Sequence, residues 1–214
     1  MTMPTRPRLT LLAALLVTPL LAACVPVAVG VGATAGVMVA GDRRSIDQQT
    51  KDGELERLVE RRLKENFDDR INVSANAYER TLLLTGEVPT PELKAEVDAL
   101  VKLSPNVRRT VDEIQVRKLS ESRWRANDGL VGANVKTRMG QSGKLDLSII
   151  KVVTESNSVF LMGKVTQKEA DDAIEITRTT QGVQRVVNLM DVVSEAEIAR
   201  LKNGGQPAPT SPAR

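Results

Sequence analysis

LLLTGEV at residues 82–88 and VFLMGKV at residues 159–165 are one pattern written twice: an apolar run, a glycine, one charged residue and a valine. Each is followed by a helical pattern and then by a valine-rich stretch, beginning at Val107 in the first case and Val183 in the second. Gly86 to Val107 spans 21 positions and Gly163 to Val183 spans 20, so the two units differ by one loop residue. A recurring spacing of this kind marks tandem copies of one folding unit.

Working outward, each unit reads helix, strand, strand, helix, strand. In the first, Asp52 is expected to cap a helix whose apolar residues Leu55, Leu58, Val59, Leu63 and Phe67 share one face. Ile71, Val73 and Ala75 alternate as a half-buried strand does, residues 76–80 make a hairpin connection, and the strand from Thr81 to Thr85 runs into Gly86. Thr90 caps and Pro91 opens a second helix with Leu93, Val97, Leu100 and Val101 inward, and residues 107–116 close the unit as a strand. In the second unit Asp128 is expected to cap a helix with the stripe Val131, Val135 and Met139. Thr166 and Glu169 then form a capping box ahead of Ala170, Ala173, Ile174 and Thr177, and Gly182 ends that helix.

The ends of the chain differ from this repeated middle. Arg6 and Arg8 precede an apolar run from Leu9 to Leu21, the layout of a secretory signal. That run is shorter than the roughly 20 residues needed to span a bilayer. Leu21-Ala22-Ala23-Cys24 resembles a bacterial lipobox, which implies that Cys24, the single cysteine, is acylated after cleavage. A multiply acylated terminus stays on a membrane, since each buried CH₂ contributes about 0.8 kcal/mol. By the sorting rule that accompanies this resemblance, an Asp after the cysteine retains a lipoprotein in the inner membrane. Val25 stands there instead, which implies the periplasmic face of the outer membrane. Residues 25–41 are rich in Gly and Val and read either as a tether or as a second membrane-associated segment, while residues 203–214 read as a disordered tail.

Composition excludes several classes. Without Arg6 and Arg8 the chain carries 28 Lys and Arg against 27 Asp and Glu, which argues against a nucleic-acid partner. The four aromatic residues, Phe67, Tyr78, Trp124 and Phe160, are too few and scattered to stack on single strands. There is no histidine and one cysteine, so no nucleophile–base pair, metal cluster or cofactor is expected, and no disulfide can form within the chain. Asp68-Asp69 and Asp171-Asp172 are read as solvated surface, because neighbours on a helix do not face one site. The function is expected to be non-catalytic.

A binding surface is the remaining candidate. Leu130, Ala133 and Thr137 share a helix face away from the core stripe, with Lys136 on its flank and Arg123, Trp124 and Arg125 just before the helix. An apolar residue flanked by cations and Trp suits shallow contact with anionic headgroups. The first unit's helix offers only Glu56, Arg57, Glu60 and Arg61 outward.

The two units behind a lipobox, with the stretches AGDRRSIDQQTKDGELE, RINVSA, LLLTGEV, NDGLVGANVKTRM, VVTESNSVFLMGKVT and GVQRVV, resemble the dual BON-domain outer-membrane lipoproteins associated with division and envelope stress. The resemblance covers the chain to about Val193. It implies an α+β fold of two tandem domains, each with two helices on one face of a three-stranded mixed sheet. It also implies an anionic phospholipid membrane as partner, contacted by the first helix of the second domain, with an envelope or division protein as a second partner. The chain departs from the family pattern where an aromatic follows the Asn-Asp pair: Leu130 stands there, and Trp124 either substitutes for that aromatic or packs between the domains. The expected organisation is a signal at residues 1–23, a lipidated tether at 24–50, BON domains at 51–118 and 119–193, and a short helix with a tail at 194–214. A tethered protein-interaction adaptor is the competing expectation.

Overall fold

In the computed structural model, residues 41–202 are described, apart from the side chains of residues 122–124 and 202. Helix α1 (Ile46–Phe67) leads into β1 (Asn72–Tyr78), β2 (Thr81–Val88), α2 (Pro91–Lys102) and β3 (Arg109–Val116). The order then repeats as α3 (Ser122–Gln141), β4 (Ile150–Glu155), β5 (Ser158–Val165), α4 (Gln167–Arg178) and β6 (Arg185–Asn188). A two-residue β7 (Asp191–Val192) and α5 (Glu195–Lys202) follow. In each domain the middle strand pairs antiparallel with the strand before it and parallel with the strand after the helix. The second domain's closing strand, expected from Val183, starts at Arg185 and breaks after Asn188, whose side chain accepts the Met190 N–H at 2.9 Å. Pairing to β5 then resumes as β7. The α+β architecture expected from the repeat is present in both halves.

Residue patterning accounts for the two cores. Leu55, Val59, Leu63 and Phe67 of α1 and Val97 and Val101 of α2 bury against Leu82, Leu84 and Val88 of β2. In the second domain Val131, Val135 and Met139 meet Val159, Leu161 and Val165 of β5 and Ala170 and Ala173 of α4. The repeated glycine has a steric cause. At Gly86, φ is +120° and a Cβ would lie 1.9 Å from the Asn72 carbonyl oxygen; at Gly163 it would lie 2.5 Å from that of Ile149. The chain entering each domain's first strand passes there, and a side chain would block it.

Thr90 caps α2, and Thr166 with Glu169 forms the expected box on α4. Two expected caps are not caps. Ser45 caps α1, accepting from Gln48 N–H at 3.1 Å, and α3 starts at Ser122 after Glu121, so Asp52 and Asp128 both lie inside their helices. Both are buried, and both hold the hairpin turn of their own domain. Asp52 accepts the N–H of Glu79 at 2.9 Å and of Arg80 at 3.0 Å; Asp128 accepts those of Ser156 and Asn157, each at 2.8 Å. These four turn residues have φ of 48°, 61°, 49° and 59°. Positive φ at both central positions is the geometry of a two-residue hairpin that follows strand twist, and it costs non-glycine residues energy. The aspartates favour this conformation by accepting both turn amides. Strand β1 consequently runs to Tyr78, and the expected connection of residues 76–80 shrinks to Glu79-Arg80.

The two sheets also pack against each other. Along β2 and β5 alternate side chains point to opposite faces. Leu82 and Leu84 face the helices of the first domain while Leu83 faces away; Val159 and Leu161 face those of the second while Phe160 and Met162 face away. Leu83, Tyr78, Phe160 and Met162 form a buried inter-domain cluster with Val111, Val153, Val187 and Leu189 at its margin. Burial of each large apolar side chain in it contributes about 1.5–3 kcal/mol. Polar contacts rim this seam. Tyr78 Oη accepts the Lys164 N–H at 3.1 Å, Lys164 pairs with Glu79 at 3.0 Å, and Arg108 pairs with Asp191 at 3.0 Å. Glu56, expected to face outward, is half-buried there: it accepts the Ala77 N–H at 2.5 Å and pairs with Lys151 of the second domain.

Candidate functional site

Helix α3 carries the candidate face. At 3.6 residues per turn, Leu130, Ala133, Thr137 and Gly140 line the side opposite Val131, Val135 and Met139. The structure buries the second set and exposes the first, with Leu130 66 % exposed. Lys136 is exposed on the flank and forms no ion pair among the described residues. The backbone of Arg123, Trp124 and Arg125, expected ahead of the helix, lies within the first turn of α3, because the helix begins at Ser122. The side chains of Arg123 and Trp124 lie outside the described residues, as does Cys24 with the whole of residues 1–40. Arg125 is exposed and Nη1 donates to the Ser120 carbonyl at 3.1 Å.

Arg125, Ala133 and Lys136 come together on one open groove of about 420 Å³ between α3 and the edge strand β4, floored by Val152 and Thr154. Glycine makes the groove. A Cβ at Gly132 would lie 2.9 Å from Thr154 Oγ1, so the helix approaches the strand closely there, and a Cβ at Gly129 would meet nothing within 4 Å. Leu130 and Thr137 are not groove-lining residues and stand on the outward face beside it. The combination is a shallow, partly apolar face with cations at its margin and Asp128 buried beneath. Exposure alone does not single out Leu130, since Leu103 at the end of α2 is 73 % exposed. Leu103 stands at a helix terminus whose carbonyl accepts from Arg62 at 3.3 Å, without a run of small residues beside it.

A second polar cluster lies where the inter-domain linker crosses the seam. Glu87 is fully buried and is held by Arg117 and by the Ser120 N–H at 2.6 Å. Burial alone would raise its carboxyl, but the Ser120 amide and the Arg117 guanidinium outweigh that and hold it below the usual carboxylate range. Nearby, burial first and then the charges of Asp128 and Glu87 push the Glu155 carboxyl up to about 7. Sequence reasoning missed this cluster and the whole inter-domain seam. The available signal was the unbroken LLL and VFLM runs, since a strand covered on both faces loses its polar alternation. Among the described residues, no group of three or more His, Cys, Asp and Glu could hold a metal ion, and no helix is long and apolar enough to cross a membrane.

The BON domain family model matches residues 51–118 and 127–194. The outer membrane lipoprotein DolP of Haemophilus influenzae is 30 % identical over 169 residues, covering 78 % of this chain and 86 % of that protein. The chain belongs to the dual BON-domain lipoproteins. A 21 kDa hemolysin of Actinobacillus pleuropneumoniae is 27 % identical over 161 residues, covering 71 % of this chain and 79 % of that protein. Among solved structures, the C-terminal domain of CdsD, a structural protein of the type III secretion system of Chlamydia trachomatis, aligns over 67 % of each chain at 15 % identity with a TM-score of 0.27. Both BON matches begin inside a helix of this chain: α1 starts five residues before the first and α3 five residues before the second. Arg123, Trp124 and Arg125 therefore precede the matched stretch, whereas Leu130, Ala133, Lys136 and Thr137 fall within it.

Proposed function

We propose that this protein is a non-enzymatic lipoprotein of the outer membrane, anchored on the periplasmic face through acylated Cys24, that binds anionic phospholipid with the outward face of α3 and supports envelope integrity, including at division sites. The observation that carries the reading is the exposure of Leu130 on a helix face of Ala133, Thr137 and Gly140, flanked by Lys136 and Arg125. An apolar side chain there can enter the headgroup layer, and each cation near an anionic surface contributes about 1 kcal/mol. DolP's description as an outer membrane lipoprotein supports the address.

The test is vesicle sedimentation with the soluble chain from Gly41 onward. Binding to phosphatidylglycerol or cardiolipin vesicles over phosphatidylcholine vesicles is the expected result. Equal indifference to both would sink lipid recognition and leave a membrane-tethered protein-interaction adaptor.

A further inference from the structure

Arg43 and Arg44 are adjacent in sequence and bind opposite domains. Arg43, 6 % exposed, makes a two-pronged ion pair to Glu169 of α4, with Nη1 and Nη2 each 2.7 Å from a carboxylate oxygen, and Nη1 also donates to the Lys164 carbonyl at 3.0 Å. Arg44 turns to the first domain. Its Nη1 donates to Asp52 at 2.9 Å, its guanidinium lies 4.2 Å from the centre of the Tyr78 ring, and Asp42 steadies it from behind at 2.7 Å. Gly41, with φ of +98°, lies so close to the second domain that a Cβ would fall 1.7 Å from Ser148 Oγ.

We propose that residues 41–45 are a clasp that locks the two BON domains in one arrangement, with Arg43 as the latch on the second domain and Arg44 as the hinge on the first. Residues 41–45 thus touch both domains at one edge of the seam, and the Arg43–Glu169 pair is their charged contact with the second domain. The chemistry suits a latch. A forked guanidinium–carboxylate pair is directional and charge-assisted, and its fork cannot be reproduced by lysine. Arg43 Nε is buried without a hydrogen-bond partner, so the two terminal nitrogens alone hold the contact. The Glu169 carboxyl, held near 2 chiefly by Arg43, stays charged throughout the neutral range.

The test uses the full chain carrying Cys24→Ser, with spin labels at two exposed helix positions, Glu65 of α1 and Arg178 of α4, to read the inter-domain distance distribution. In a background whose seam is weakened by Phe160→Ala, so that the separated state is populated enough to be read, Arg43→Gln should raise that population by at least roughly tenfold, the scale of losing a charge-assisted contact. Glu169→Gln should do the same, because glutamine at that position preserves the capping box with Thr166 while removing the charge. The double variant should be no more open than Arg43→Gln alone, since Arg43→Gln already lacks the forked pair as well as the bond to the Lys164 carbonyl. Arg200→Gln, on the exposed pair with Glu197, should leave the distribution unchanged. An unaltered distribution in Arg43→Gln overturns the clasp. So does opening accompanied by an equal loss of thermal stability in both domain cores, because Arg43 would then support folding rather than pairing.

Discussion

Asp52 and Asp128 occupy equivalent places in the two domains and accept the same pair of turn amides, and Asp52 also binds an arginine, Arg44 at 2.9 Å. Asp52 further accepts from Gln48 Nε2 at 2.8 Å. Replacing either aspartate by alanine leaves two amides in a left-handed turn without acceptors, at a cost of about 2–4 kcal/mol. Asp52→Ala should be the more destabilising of the two, since it also removes the acceptor of Arg44 Nη1 and of Gln48 Nε2. Urea unfolding of each variant checks both the size and the order; equal midpoints to wild type would mean that water replaces the carboxylates.

Glu155 gives the fold a pH dependence of unusual sign. Its carboxyl is raised to about 7 in the folded chain, above its unfolded value near 4.5. Between those values the folded state binds more protons than the unfolded one, so stability falls as pH rises from about 4.5 to about 7 and is flat above. Glu155→Gln should therefore melt later than wild type at pH 8, by about 1–2 kcal/mol, and match it at pH 4.5. Glu169 acts in a different window: held near 2, it contributes stability above its unfolded value that is lost as pH falls from about 4.5 toward 2. Thermal melts across pH 3 to 8 separate the two carboxylates.

The order of elements was legible because the repeat, the Thr90 and Thr166 caps and the helix stripes are local signals read along one chain. Asp52 and Asp128 were misread for the same reason. An aspartate ahead of an apolar stripe looks like a cap, and only the return of the hairpin across the helix supplies the amides they bind. Leu130 could be placed outward by helical angle alone, whereas the partners of Glu56 and Glu87 lie 95 and 30 residues away and had no local signature. Serine at position 45 satisfied the cap rule all along, but the low hydrophobicity of residues 46–51 hid the first turns of α1.

Cys24→Ser removes the thiol that a diacylglycerol would acylate. Metabolic labelling with a fatty acid should be lost and the chain should leave the membrane fraction. Undiminished labelling would place the acyl group elsewhere and undo the lipobox reading.

Leu130 and Val135 lie five residues apart on α3, one exposed and one fully buried, and together they separate binding from folding. Leu130→Glu sets a carboxylate against anionic headgroups and should weaken vesicle binding at least tenfold while the melting temperature stays within a few degrees, because an exposed substitution costs within about 0.5 kcal/mol. Val135→Glu buries an unpaired charge among Val131, Met139 and Ala173 and should unfold the second domain, since that burden is several kcal/mol against a total stability of about 5–15. Salt supplies the control. Lys136 and Arg125 are exposed, so their attraction to the headgroups is screened beyond about 10 Å at 0.1 M ionic strength, and wild-type binding should weaken steadily from low salt upward. The apolar share carried by Leu130 should persist in that titration, leaving a plateau that Leu130→Ala removes. If Leu130→Glu melts like wild type and still sediments equally with cardiolipin vesicles at low salt, the α3 face is not the contact.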